Sequence, residues 1–521
     1  MAISMGVPEE IRKVERPKNT VVVAYGKNGD KYAVRSRVGC RYEDGRRIPV
    51  EGAIVGHIVD GRYVPVDERP RVDDCGVDLK DWANIELSDF LSKGILEELE
   101  AVYNRKDAQA LYCMALLRTC YHGIKDDELK DAYDNSFLSE KYPGVALSRN
   151  SVSDFHKNVG RACSKIAEFM RNRVSKLQES HHLVIDGTLK SDESSVNSLS
   201  NYSRKARTKG TKDVSVLYAY DVEEMEPICS KVYPGNMLDE VAFKDFLSTN
   251  AIKKGLIVAD KGFTVKSANK VFADNPGLHY LLPLKRNAAL IGHYSMYSFE
   301  GILEGRPQVT CKKAKIGNER KWLYSFRDAS KAAAEEQAYI QKCKGRYDAA
   351  DHEARRREFG TIVFESDYDA PCGTVYQAYE ERWLIEMVFR YYKDVNEFDE
   401  TRMHSDYSVI SSEFVCFLST IVTGRLLKRF GGAPSLEDVS YGKAMRVLER
   451  AKKVRIDGEW SMVRLTVKDA EVLRDLGLIP RLITVKNPRG RPRKKRDRRL
   501  YSYSNWESVN SVSTEYRPEH C

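Results

Sequence analysis

The stretch HHLVIDGT at 181–188 decides the fold: it reads as a short apolar strand ending in an acid, Asp186. GLIVADKGF at 255–263 repeats the pattern and ends its apolar run at Asp260. In α/β sheets, ligand sites lie where strands end, so an acid directly after such a run emerges at the sheet edge. Taken singly, either aspartate fits a turn residue or helix cap equally well. Between and after them, DVSVLYAYD, PICSKVYPGN, HYLLPLKRN and FGTIVFES read as further strands. EVAFKDFLSTNAIKK and TVKSANKVFADN read as helices. Strands alternating with helices predict a mixed or parallel sheet with helical cover.

Outward from this core the pattern changes. Residues 1–66 carry hairpin signals at Asn28-Gly29-Asp30 and Asp60-Gly61 and are expected to form a β-rich module. Residues 67–80 read as a polar linker. Residues 87–180 read as helical, with one long amphipathic helix after the cap at Ser148–Ser151. The core is divided into 181–289 and 358–432. The charge-rich stretch 290–357 reads as an irregular insertion outside the sheet. Residues 433–521 end in a basic tail, RLITVKNPRGRPRKKRDRRL, that cannot bury a core.

The chain has 521 residues, with 85 Lys+Arg against 76 Asp+Glu, a net +9. The charge is modest for this length, so its distribution carries more information than its sum. No stretch is read as approaching the ~20 apolar residues of a membrane span, and the N-terminus lacks an apolar signal region. Eleven cysteines are scattered without a CxxC pair, which argues against a zinc ribbon or a disulfide framework. A cytoplasmic location and no membrane partner are expected.

The helix expected after residue 373 carries the chemistry. At about 100° per residue, Tyr379, Arg382, Glu386 and Lys393 fall within one narrow stripe, with Arg390 close by. Leu384, Ile385, Val388 and Tyr392 occupy the opposite side. An ordinary solvated face would carry interchangeable Lys and Glu. One acid among cations and a tyrosine instead suits a metal ligand flanked by phosphate-binding groups. Three carboxylates from distant segments could hold two Mg²⁺, since hard cations take oxygen ligands and accept phosphate oxygens.

These motifs resemble a family. Tyr379-x2-Arg382-x3-Glu386-x6-Lys393 resembles the signature of DDE transposases of bacterial insertion sequences, the insertion sequence four type. DGT at 186–188 and ADKGF at 259–263 resemble its two aspartate blocks. DETRMHSDYSVISSEFVCFLSTIV resembles a segment of the sixteen-thirty-four-like subgroup. The resemblance covers roughly residues 180–430. It implies an RNase H-like α/β core in which Asp186, Asp260 and Glu386 converge as catalytic metal ligands. Two Mg²⁺ ions are implied, with Mn²⁺ substituting. It also implies an insertion between the second Asp and the Glu, which stand 386 − 260 = 126 residues apart. The implied activity is cleavage at transposon ends followed by attack of a 3′-hydroxyl on target DNA. Tyr379, Arg382 and Lys393 would contact DNA phosphates, with Arg390 and Lys261 as further candidates. Trp322 of the insertion would stack on a flipped base, although a lone Trp also fits a core position. Double-stranded DNA, a homodimer in a synaptic complex and a bacterial, nucleoid-associated location follow from the same resemblance.

Pro488-Arg489-Gly490-Arg491-Pro492 reads as an AT-hook, in which Arg-Gly-Arg lies in a narrow minor groove. A generic basic tail is the alternative, binding DNA through counterion release. SRKARTKGTK at 203–212 is a second basic loop. His181 and His182 point to opposite faces of a strand and read as structural. Two other functions stay open: a non-catalytic, domesticated DNA-binding protein on this scaffold, and a nuclease that cuts without joining.

Overall fold

The computed structural model describes residues 7–25, 31–43, 46–66, 77–192, 194–203, 210–259, 263, 265–343, 345–390, 393, 400–401, 403–456 and 458–480. Near the N-terminus, β1 (Thr20–Tyr25), β2 (Lys31–Glu43), β3 (Arg46–Val59) and β4 (Arg62–Pro65) form an antiparallel sheet in chain order. The segment read as a linker ends in a strand, β5 (Val77–Asp81).

The central sheet begins with β6 (His182–Asp192), β7 (Asn201–Tyr202), β8 (Lys212–Asp221) and β9 (Glu226–Pro234). It continues with β10 (Gly255–Ala259) and β11 (Leu278–Pro283). β6, β8 and β9 pair antiparallel, whereas β10 joins β6, and β11 joins β10, in parallel. The helices Asp239–Thr249 and Val265–Asp274 make the crossovers that these parallel pairs require. An α/β core was expected, and β8, β9, β10 and β11 fall where the apolar runs placed them, whereas β6 runs on past Asp186 and β7 was not foreseen.

The segment 290–357 departs from expectation. Its strands β12 (Gly301–Leu303), β13 (Arg306–Lys315) and β14 (Trp322–Asp328) are part of the central sheet. They are joined to β11 through β15 (Thr361–Ser366), all antiparallel. The helices Ala289–His293, Ala329–Cys343 and Ala349–Arg355 stand outside it. The short β16 (Glu400–Thr401) pairs with β6. Finally β17 (Lys452–Ile456) and β18 (Glu459–Met462) form a small sheet with β5, tying the region after residue 433 to the start of the helical region.

The long helix Asp406–Gly431 lies at the centre of the molecule. It packs against helices Ala83–Glu100, Arg105–Cys120 and Arg149–Arg161 and against β9. By length and composition it could cross a membrane, contrary to the reading of the sequence, but 83% of its most apolar window is buried inside the fold. A helix enclosed on all sides needs no polar face, which accounts for its composition. One continuous hydrophobic cluster joins it to the helical region and the central sheet. The amphipathic helix expected after Ser148 is two helices, Arg149–Arg161 and Cys163–Val174, separated where Ala162 leaves helical geometry. At Gly160 the first of these passes so close to Tyr407 that a Cβ would stand 1.8 Å from the Tyr407 carbonyl oxygen, so only glycine fits.

His156 on that helix is fully buried, with Nδ1 2.9 Å from Ser411 Oγ and Nε2 3.7 Å from Asp126. Burial pushes its imidazole down to about 4 from an ordinary 6.5; Asp126 opposes the shift and Arg118 adds to it. Between these values the unfolded chain binds the extra proton. The stabilisation is therefore whole above about pH 6.5 and lost as pH falls towards 4, an effect of about 3 kcal/mol. Urea unfolding should show this loss between about pH 7 and about pH 4.5, and His156→Gln should flatten it. An equal loss in the variant would assign the pH dependence to other groups.

Candidate active site

Asp186 is not at a strand end. β6 runs on to Asp192, and Asp186 sits opposite Tyr218 in the antiparallel register with β8. On its other side β6 pairs with β10, and the last described pair, Ala259 with Ile185, lies one residue before Asp186. The Asp186 carboxylate is half-buried, and its Oδ1 accepts the Gly187 amide N–H at 2.8 Å. Asp260 follows Ala259 in the chain but, with Lys261, lies outside the described residues.

Directly opposed residues of an antiparallel pair project from the same face. The Tyr218 ring therefore marks the face that carries Asp186. It packs edge-on against Phe389 at 5.6 Å and tilted against Phe417 at 5.9 Å. Phe389 belongs to the helix Trp383–Arg390, which packs on β6 through buried Ile385. On that helix Glu386 is about 60° from Phe389, at the border of the packed face. The sheet face bearing Asp186 and the helix bearing Glu386 thus meet through Tyr218 and Phe389.

The continuous helix expected from 373 onward is broken. Cys372–Glu380 ends, Glu381 and Arg382 form a turn, and helix resumes at Trp383. Here the Arg382 amide bonds back to Tyr379 and the Ile385 amide to Arg382, three-residue steps that tighten the backbone. The 100° stripe therefore does not hold across the break. Nevertheless Tyr379, Arg382 and Glu386 line one open cleft of about 370 Å³, together with Arg306, Lys331 and Glu380. Glu386 is exposed and pairs with Arg382 at 2.9 Å. The Tyr379 ring is held by Phe364 at 5.0 Å and Tyr376 at 6.1 Å.

The other expected residues scatter. Arg390 is exposed on the same helix as Glu386. Lys393 lies near Asp213, whose carboxyl is raised by burial and held back by that lysine. Asp213 faces Ser191 on β6, so Lys393 stands towards the C-terminal end of that strand. Trp322 stays away from the cleft. It starts β14 opposite Ser366, half-buried with Lys313 Nζ 5.9 Å from its ring. The cleft-side end of that strand, at Arg327, lies five residues away, about 17 Å. Trp322 thus packs, partly buried, against the hydrophobic core at the opposite end of its strand from the cleft. Arg489, Gly490 and Arg491 lie outside the described residues.

Arg306 and Lys331 were missed in the sequence. Both belong to 290–357, and neither stands in a motif. His181, Asp221 and Glu223 form the one cluster of metal-type ligands found among the described residues. It sits at the start of β6, away from the cleft. His181 Nδ1 is 2.8 Å from Asp221, and His182 pairs with Glu223, which agrees with a structural role for both histidines.

Comparison with known proteins bears on this arrangement. Residues 178–417 match the family model described as a transposase DDE domain. No curated protein matches the chain. Among solved structures it is similar to piggyBac transposase, seen by cryo-electron microscopy in a synaptic complex with hairpin DNA. The identity is 12% and the TM-score 0.36, over 70% of this chain and 78% of that one. The segment matched by the transposase DDE domain holds β6 to β11, β15 and the helix of Glu386, which together make up the α/β core.

Proposed function

We propose that this chain is a DDE transposase of the insertion sequence four type and moves a bacterial element by cutting at its ends and joining the 3′-hydroxyls to target DNA. One observation carries the proposal: Tyr379, Arg382 and Glu386 share a cleft, and the helix of Glu386 packs on the strand of Asp186. All of them fall within the segment that matches the transposase domain.

In this reading Asp186, Asp260 and Glu386 hold two Mg²⁺, with Mn²⁺ as substitute. The half-buried Asp186 and exposed Glu386 carboxylates are hard oxygen donors open to solvent, which fits such ions. Bound there, the ions would activate the attacking oxygen and stabilise the leaving one. The chain's own groups position the DNA. Arg382 offers a planar fork for a phosphate. Tyr379 sets a rigid aromatic wall, and Lys393 and Arg390 continue the cationic track. The tail at Arg489-Gly490-Arg491 would add minor-groove contacts, and a homodimer would hold two ends together.

The test uses duplexes from both flanks of the gene with Mg²⁺. The reading expects cuts at element ends and joined products. Binding without any cut would favour the non-catalytic alternative, and cutting without joining the nuclease.

A further inference from the structure

On the reading that the cleft takes DNA, we infer that Lys331 is its free phosphate contact, carried there by the segment 290–357 and kept in place by an Arg306–Glu380 brace. The sheet register sets this up. Val309 pairs with Asp328, so Arg306, which opens β13 three residues before Val309, and Lys331, three residues after Asp328 in the helix that follows β14, stand at the same edge. That edge forms the wall of the cleft facing Glu386.

Among the described residues the charges in the cleft do not balance. Arg306, Lys331 and Arg382 face Glu380 and Glu386. Arg306 is consumed by a two-pronged pair with Glu380, at 2.7 and 2.5 Å, while its guanidinium lies 5.7 Å from the Tyr376 ring. Arg382 pairs with Glu386. Among the described residues no carboxylate pairs with Lys331. Its Nζ instead stands 5.6 Å from the centre of the Tyr379 ring. The ring supports the ammonium from one side without neutralising it, leaving the other side for an anion. The backbone at this point is fixed as well: Asp328 Oδ1 accepts the amide N–H groups of Ser330 and Lys331. One unmatched cation, held on a rigid ring beside Glu386, has the charge and placement for a single backbone phosphate.

The test is DNA binding by the full chain, read by fluorescence anisotropy on a flank duplex across a salt series. Lys331→Gln should weaken binding several-fold and reduce the slope of log affinity against log salt by about 0.9, the loss of one phosphate contact. Lys331→Arg should restore both. Lys342→Gln, at the far end of the same helix, should leave both unchanged. Wild-type affinity and slope in Lys331→Gln would overturn the inference, as would an equal loss in Lys342→Gln. Because binding is read without cutting, a wild type that binds but cuts nothing rejects the catalytic reading alone. A wild type that cuts while Lys331→Gln keeps its slope rejects Lys331 alone, and a wild type that binds no DNA rejects both.

Discussion

Glu386→Gln is expected to abolish DNA cutting while leaving fold and DNA binding intact. A metal-bound carboxylate underwrites several kcal/mol of charge stabilisation at the reacting phosphate, so its loss should slow cleavage at least about 10³-fold. The fold should not notice. The Glu386 side chain is 58% exposed, and glutamine is nearly as good a helix former. The substitution breaks the exposed ion pair with Arg382, worth about 0.5 kcal/mol or less. Binding should hold or tighten, because the change removes a negative charge from a cleft meant for phosphate. Asp186→Asn should behave in the same way. Cutting by Glu386→Gln within about tenfold of wild type would remove the glutamate from the chemistry.

The second large effect is on stability and lies beneath the site. Lys190 follows Asp186 by four residues on β6, on the same face, and its Nζ meets Glu413 of the long helix at 2.5 Å. The two side chains are 3% and 2% exposed. Burial alone would lower the lysine's proton affinity, but the Glu413 carboxylate outweighs it and the net shift is upward. Glu413→Ala would take the paired carboxylate from a buried ammonium and is expected to cost about 3–5 kcal/mol, seen as a lower urea midpoint. The double variant Lys190→Met/Glu413→Leu should recover most of that loss, since both buried charges of the pair are then removed together. A loss below about 1 kcal/mol in Glu413→Ala would show that the pair is not desolvated.

That same pair explains why part of the site was hidden in the sequence. Past Ile185, the inward positions of β6 are Thr188, Lys190 and Asp192, all buried and all polar. A hydrophobic pattern cannot reveal a strand whose inner face is held by ion pairs and hydrogen bonds, so Asp186 looked like a strand end. The segment 290–357 misled for a related reason. β13 reads RPQVTCKKAK, mostly half-exposed, and its sheet membership rests on backbone pairing with β14. Arg306 and Lys331 could not be anticipated, because their approach to Glu386 depends on that pairing. By contrast β8, β10 and β11 were legible as apolar runs. Tyr379, Arg382 and Glu386 were legible as a spacing, and the cleft keeps them together despite the break at Glu381 and Arg382.

The most direct test of the central claim, that Asp186 ligates the metal used for cutting, is a metal-preference switch. Asp186→Cys replaces a hard oxygen by a soft thiolate, which accepts Mg²⁺ poorly and Mn²⁺ better. Cleavage of an end duplex should be lost in Mg²⁺ and recovered in Mn²⁺, while the wild type cuts in both. Undiminished Mg²⁺-dependent cleavage by Asp186→Cys would contradict the account.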